Sequence, residues 1–437
     1  MAGNGGDMRI ISGVAGMAAL ALAVTACTVS TTTIVRSTGS NSAASAGKTG
    51  APSASASPTP TGPLVTITPG SGAAGADPSK GITVATADGT LKNVAVTTAG
   101  DPVTGTYAAG RKSWHSIYAL NVSQSYTVTA TATSASGATS TKTATFRTLT
   151  PKSTFITEVF EGYKQTYGVG MPIILNFSQP ITDRAAVEQS IELTTSKPVV
   201  GAWYWDGNKT LYFRPRDFWP AHTTVSFTGH FDGVQAAPGL YGYHTLTQTF
   251  VIGTSVIAVA STRTHRTQIY VNGKLKYNWP ISSGKPGDAT PDGSYLTIEK
   301  ENPVRMVGPG YNLLVPWSVR FTFSGDYYHD AYWSVGQQGF ANVSHGCVNL
   351  SPADAETYYK LAVPGDPITI TGSPRPGTWD NGWTVWFLTW NQVMNGSALH
   401  EAVVAGPHGS TFVKPSALRS NIAKAPLGTA AAGNNLG

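Results

Sequence analysis

The six residues Ser344-His345-Gly346-Cys347-Val348-Asn349 put a thiol, an imidazole and a glycine side by side. A thiol attacks as the thiolate, so a base or a positive field must bring its pKa down from ~8.5. His345 stands two residues before Cys347, so on an extended strand both side chains share a face, and His329 is a second candidate base. Gly346 allows a tight backbone turn, which can aim the N–H groups of Gly346 and Cys347 at one point as an oxyanion hole. These residue types suit acyl transfer through a covalent thioester. Read from residue types alone, Cys347 is also open to use as a buried structural thiol or as half of a metal site. The metal reading lacks a second Cys beside it and any close His pair.

The elements that must position these residues are mainly β. The chain has 437 residues, which at ~150 per domain suggests about three domains. Charged residues are only 12%, with 48 Gly and 28 Pro, which excludes a coiled coil and a charge-driven disordered chain. The net charge of +6 is spread too thinly for a nucleic-acid footprint but is compatible with an anionic surface. Residues 1–27 read as a signal peptide, in which Arg9 precedes an apolar run ending Val24-Thr25-Ala26-Cys27. Residues 28–62 are Ser, Thr, Ala, Gly and Pro with little to bury, a disordered tether.

Period-two alternation with frequent turns then predicts two immunoglobulin-like β-sandwich modules, 63–149 and 150–253, neither holding a Cys for an inter-sheet disulfide. In the second, Asp183 caps a short helix over 184–188, and Trp203-Tyr204-Trp205 and Phe218-Trp219-Pro220 read as core rather than as a carbohydrate platform. The chemistry sits in a third, β-rich domain, 254–375. There Thr290-Pro291-Asp292-Gly293 is a turn, and Ser351-Pro352-Ala353-Asp354 starts a helix that stops before Pro364-Gly365. Residues 376–403, with Trp379, Trp383, Trp386 and Trp390, are expected to pack as an arm on the catalytic domain, and 404–437 to form a flexible tail.

The stretch His329-Asp330-Ala331-Tyr332-Trp333-Ser334-Val335-Gly336-Gln337-Gln338-Gly339, followed by Ser344-His345-Gly346-Cys347-Val348-Asn349-Leu350-Ser351-Pro352, closely resembles the catalytic signature of L,D-transpeptidases. In that family a His stands about fifteen residues before a Ser-His-Gly-Cys-x-Asn core. Similarity continues through Tyr311, Trp317, Ser324-Gly325, the Thr290 turn and the Trp-rich arm. It also reaches Tyr167-Gly168-Val169-Gly170-Met171-Pro172 and Asp183-Arg184-Ala185-Ala186 in the second module, which resemble modules of actinobacterial members.

The resemblance implies a fold, an activity and a set of roles. His329 would be the general base for Cys347, which attacks a tetrapeptide donor stem, releases D-alanine and passes the acyl group to the side-chain amine of a second stem, making a 3→3 cross-link in peptidoglycan. His345 would shape the pocket and support the oxyanion hole, the backbone N–H groups of His345, Gly346 and Cys347 would hold the oxyanion, and Asp330, in place of the Ser of mycobacterial members, is a possible orienter of His329. Tyr311, Ser324, Gly325, Asn349, Met306 and Trp333 would contact substrate. No metal or cofactor is implied. Carbapenems would acylate Cys347. The Val24-Thr25-Ala26-Cys27 end resembles a bacterial lipobox, which would acylate Cys27 and anchor the protein outside the cytoplasm. Two alternatives stay open: a thiol hydrolase or carboxypeptidase of wall peptides, and a lipid-anchored wall-binding protein with an inactive third domain.

Overall fold

The computed structural model describes residues 62–308 and 310–421; the expected signal peptide, Cys27 and nearly all of the tether lie outside that range. The first sandwich is built from alternation. Along Ser125–Thr133 the side chains of Tyr126, Val128, Ala130 and Ala132 point inward and are buried, while Thr127, Thr129 and Thr131 point out. The outward threonines face Thr145, Thr143 and Thr141 on the neighbouring strand Thr139–Thr148, with hydroxyl pairs at 3.4, 3.1 and 2.9 Å. Two four-stranded sheets close over a core that includes Ile67, Val84, Trp114 and Phe146.

The second sandwich opposes a six-stranded sheet to a four-stranded one, around Ile173, Leu175, Trp203, Trp205, Leu211 and Phe213. Trp203 and Trp205 are core residues. Asp183 accepts a hydrogen bond from the Ala186 N–H and caps the helix Arg184–Gln189.

The C-terminal segment departs from the sequence reading. Residues 404 onward do not begin a free tail: strands Ala402–Gly406 and Gly409–Val413 extend the six-stranded sheet, with Val199 opposite Ala405 and Gly201 opposite Val403. The Trp-rich arm packs largely on the second sandwich rather than on the catalytic domain. Trp386 meets Phe218 with ring centres 4.4 Å apart, Trp383 meets Phe160 at 4.7 Å and Trp379 meets Tyr204 at 5.6 Å. The physical reason is the open edge of strand Val199–Asp206, whose backbone groups need partners that the chain supplies about two hundred residues later. Buried Arg214 fastens the arm by donating to the Leu388 carbonyl at 2.7 Å, its guanidinium 4.4 Å from the Trp386 ring.

Gly168 and Gly170 give the second module its contact with the catalytic domain. Their N–H groups donate to the Pro364 and Gly365 carbonyls at 2.8 and 3.0 Å. A Cβ on Gly168 would lie 2.2 Å from the Asp366 nitrogen, and one on Gly170 2.5 Å from Leu296, so only glycine permits this approach.

The catalytic domain holds a five-stranded sheet centred on Val256–Ser261 and a four-stranded sheet ordered Glu299–Glu301, Ser318–Arg320, Tyr327–Asp330, Val348–Leu350. A hairpin, Val304–Gly308 and Tyr311–Val315, stands beside them. The helix Pro352–Leu361 starts where the sequence places it: the Ser351 hydroxyl accepts from the Asp354 N–H and donates to its carboxylate.

Candidate active site

Strand Tyr327–Asp330 runs parallel to Val348–Leu350, with His329 opposite Asn349. Tyr328, Val348 and Leu350 are fully buried against the core, Tyr328 with its ring centre 4.9 Å from that of Tyr358 on the following helix. Alternation therefore turns His329 and Asn349 to the opposite face, which is also that of Tyr327, and Cys347, in the bend just before the second strand, packs against Tyr327. The candidate base His329 and candidate nucleophile Cys347 come from separate stretches of chain brought together by the pairing of these two strands.

His329 is held by a backbone group. Its Nδ1–H donates to the Asp330 carbonyl oxygen at 2.7 Å; a carbonyl can only accept, so the proton sits on Nδ1 and Nε2 keeps a lone pair. The expectation that the Asp330 carboxylate orients the imidazole is thus corrected. That carboxylate is buried with Oδ1 lacking a partner, and the strand geometry presents the carbonyl instead. Trp333 stacks over His329, ring centres 5.9 Å apart at 30°, and remains partly exposed, as a residue lining a cleft should be. Burial lowers the His329 pKa to about 4, so the imidazole is neutral at neutral pH.

Cys347 is likewise uncharged at rest. Burial pushes its thiol up to about 12, the charge of Asp326 adds to this, and a hydrogen bond from the Tyr327 N–H opposes it. Its Sγ–H points to the Gly325 carbonyl oxygen at 3.8 Å. Met306 and Tyr327 pack with Cys347 in one small apolar cluster. With thiol and imidazole both neutral, proton transfer in step with attack is favoured over a standing ion pair.

Ser344 shapes the loop before the nucleophile. Its hydroxyl donates to the Cys347 carbonyl at 2.6 Å and accepts from the Gly346 N–H at 3.2 Å. Gly346, with φ of +130°, also has its carbonyl held by the Thr290 hydroxyl at 2.6 Å, which gives the Thr290 turn its role. The Gly346 N–H is therefore engaged, contrary to its assignment to the oxyanion hole. The backbone N–H groups of His345 and Cys347 have no acceptor among the described residues and remain as the donors for an oxyanion.

The other expected site residues divide. Tyr311 reaches the cleft, its ring centre 5.2 Å from that of His345, and both burial and the neighbouring Cys347 raise its phenol pKa. His345 is exposed and accepts from the Lys285 ammonium at 2.9 Å, so it shapes the rim and is not the base. Ser324 is exposed, and Gly325 with φ of +100° turns its carbonyl to the thiol. Asn349 is buried and its amide donates to the Ser334 hydroxyl at 2.9 Å. It ties the Cys-bearing strand to the turn carrying Trp333, which is a positioning task and not the substrate contact expected of it. Sequence reading missed Asp326, Lys285, Ser344 as a loop brace, and Asn381, whose side chain bonds Ser324 at both its N–H and hydroxyl. A carboxylate two residues after Ser324 was the available signal for Asp326.

Among the described residues no cluster of His, Cys, Asp and Glu is arranged to hold a metal ion.

Residues 255–370 match the L,D-transpeptidase catalytic domain, and 73–235 match a bacterial Ig domain, a span that crosses both sandwiches. L,D-transpeptidase 2 of Mycobacterium tuberculosis is 32% identical over 350 residues, covering 77% of this chain and 85% of that protein. L,D-transpeptidase 1 of the same species is 40% identical over 215 residues, 47% of this chain and 80% of that one. A solved L,D-transpeptidase in complex with imipenem is 36% identical, covering 51% of this chain and all of the other, with a TM-score of 0.43. Identity at this level along most of a relative's length, with the candidate nucleophile and base brought together by the fold, places the chain in the L,D-transpeptidase family.

Proposed function

We propose that the protein forms 3→3 cross-links in peptidoglycan by acyl transfer through Cys347. The observation that supports this is a neutral, Nδ1-protonated His329 paired with Asn349 across parallel strands, with Cys347 packed on Tyr327, two residues before that His. As Sγ attacks the carbonyl of the third residue of a donor tetrapeptide, its proton passes to Nε2 of His329, and the oxyanion is received by the His345 and Cys347 N–H groups. Collapse expels D-alanine, which takes the proton from His329, and leaves a thioester. The side-chain amine of a second stem then attacks, forming the amide and returning the thiol. Tyr311 beside His345, Trp333 over His329 and Met306 packed with Cys347 are the side chains that would border the bound stem.

Incubation of the enzyme with a disaccharide-tetrapeptide should give a dimer whose mass is two substrates less one D-alanine, and Cys347→Ala should give none. Tripeptide alone would make the protein chiefly a carboxypeptidase; an inert but folded wild type would favour the wall-binding reading. Carbapenems should add covalently to Cys347, read as a mass shift lost in Cys347→Ala. Cys27 is proposed as a lipid anchor that holds the enzyme on the outer face of the membrane, with the sandwiches as a spacer. Incorporation of labelled fatty acid that persists in Cys27→Ala would refute the anchor.

A further inference from the structure

Asp326 stands between the two loops that form the site, and nothing in the chemistry above uses it. Its side chain is buried at 6% exposure. Oδ2 accepts from the Thr322 hydroxyl at 2.8 Å and the Ser324 hydroxyl at 3.2 Å, so the carboxylate is fixed in direction. Oδ1 takes no hydrogen bond among the described residues and is turned to the nucleophile loop: a Cβ on Gly346 would lie 2.3 Å from it. The charged and titratable groups around it are Cys347, Tyr311, Tyr295 and Arg375. Arg375 makes no ion pair with it and directs its guanidinium to the Ala289 carbonyl; its charge favours the ionised carboxylate, as do the two hydroxyls, while burial raises the Asp326 pKa and so favours a partner cation.

A lone carboxylate here works against catalysis. Its charge disfavours the Cys347 thiolate and would repel an oxyanion on the adjacent N–H groups. A cation from the substrate removes both penalties at once. The substrates of the proposed reaction carry one kind of cation suited to this place, the primary ammonium of a diamino-acid side chain.

We propose that Asp326 is the ammonium-recognition residue of the cleft, receiving the side-chain –NH3+ of a diamino-acid stem on Oδ1 beside Cys347. This rests on the cross-linking reading given above and names the substrate feature the site selects. The step is ion pairing, with no bond made or broken. The cation comes from one of two sources, the attacking stem or the donor itself. An acceptor bound this way places its nitrogen next to the thioester, and loss of one ammonium proton to solvent frees the lone pair that attacks. A donor bound this way raises the thiolate population as it docks.

Two arms separate the sources. Acylation is timed with donors whose side-chain amine is free or acetylated, and the acyl-enzyme is chased with an amine-bearing stem or with hydroxylamine, which is uncharged at pH 7. In Asp326→Asn, the preference for free amine over its uncharged counterpart should fall about 10-fold, one pK unit's worth, through KM, in the acylation arm for a donor cation or in the chase arm for an acceptor cation. Unchanged preference in both arms overturns the proposal. A measurement on the wild type guards against a misfolded variant. Alkylation of Cys347 by iodoacetamide at pH 7 should accelerate several-fold with Nα-acetyl-lysine amide and not with its Nε-acetylated form. No acceleration overturns the ammonium site. Acceleration in an enzyme that never acylates with donor would instead uphold the ammonium site and remove the cross-linking reading.

Discussion

The two sandwiches have the same layered design and different attachments. The first meets the second at a polar seam: the Asp232 carboxylate accepts from the Val122 N–H at 2.9 Å, the Thr245 hydroxyl donates to Asp101 at 2.7 Å, and Tyr118 stacks on His230. The second is joined to the C-terminal half of the chain by continuous sheet, by the Trp arm and by buried polar anchors. Glu188, fully buried, accepts from the Trp205 indole, the Ser397 hydroxyl and the Ala398 N–H at 2.7–2.8 Å. The second sandwich is therefore part of the catalytic body's framework, while the first is a neighbour. Sharing strands and burying anchors makes parts unfold together; a seam of hydrogen bonds permits separate motion.

Breaking the framework should cost most. Glu188→Ala leaves two buried donors and one half-buried donor without an acceptor and should destabilise by about 3 kcal/mol, read by denaturant unfolding. Cross-linking activity should fall in the same denaturant range. Loss of the second module's signal with the catalytic domain still active would contradict the shared framework.

Glu161 gives a test of the same body through pH. Burial raises its carboxyl pKa to about 8, even though the Ile174 N–H stabilises its charged form. An acid whose folded pKa lies above its unfolded value of about 4.5 contributes stability below that value and loses it as pH rises toward 8. Glu161→Gln removes this dependence. The variant should match wild type near pH 4.5 and exceed it by about 3 kcal/mol at pH 7, at about 1.4 kcal/mol per pH unit. His329, with its pKa lowered, acts in the opposite sense, with stability lost as pH falls from about 6.5 toward 4, and both variants share that limb.

The seam should matter less. Asp232→Ala removes one charge-assisted hydrogen bond and should cost about 1.5 kcal/mol in the melting of the first sandwich, with turnover of soluble substrates unchanged. Thr129→Ala, on the outer face of that sandwich, should change stability by no more than about 0.5 kcal/mol and activity not at all. A catalytic defect in either variant would make the first sandwich part of the enzyme proper.

Much of this was legible in the chain. The run at 126–130 alternates plainly, those at 173–177 and 256–260 read as strands from short apolar stretches instead, and Ser351-Pro352 announces its helix because a cap and a first-turn proline act within one turn. Cys347 and His329 were legible as reactive types at a telling spacing. The roles of Asp330 and Asn349 were not. The same strand offers a carbonyl and a carboxylate to the imidazole, and residue type favours the carboxylate where geometry selects the carbonyl. Gly346 misled for a similar reason, since the hydroxyl that takes its N–H belongs to Ser344, whose rotamer no local pattern announces.

By itself the sequence indicated the reactive thiol with two candidate bases, the two sandwiches and the start of the helix behind the site, because each depends on side-chain chemistry or on neighbours a few residues apart; the choice of His329 over His345 came from the family resemblance. Only the tertiary structure decided that residues 402–413 complete the second sandwich, that Gly168 and Gly170 dock on the Pro364 turn, and that Asp326 faces Gly346. These contacts join segments as much as two hundred residues apart. They are selected by open sheet edges, close backbone approach and the direction of a fixed carboxylate, which exist only once the chain has closed upon itself.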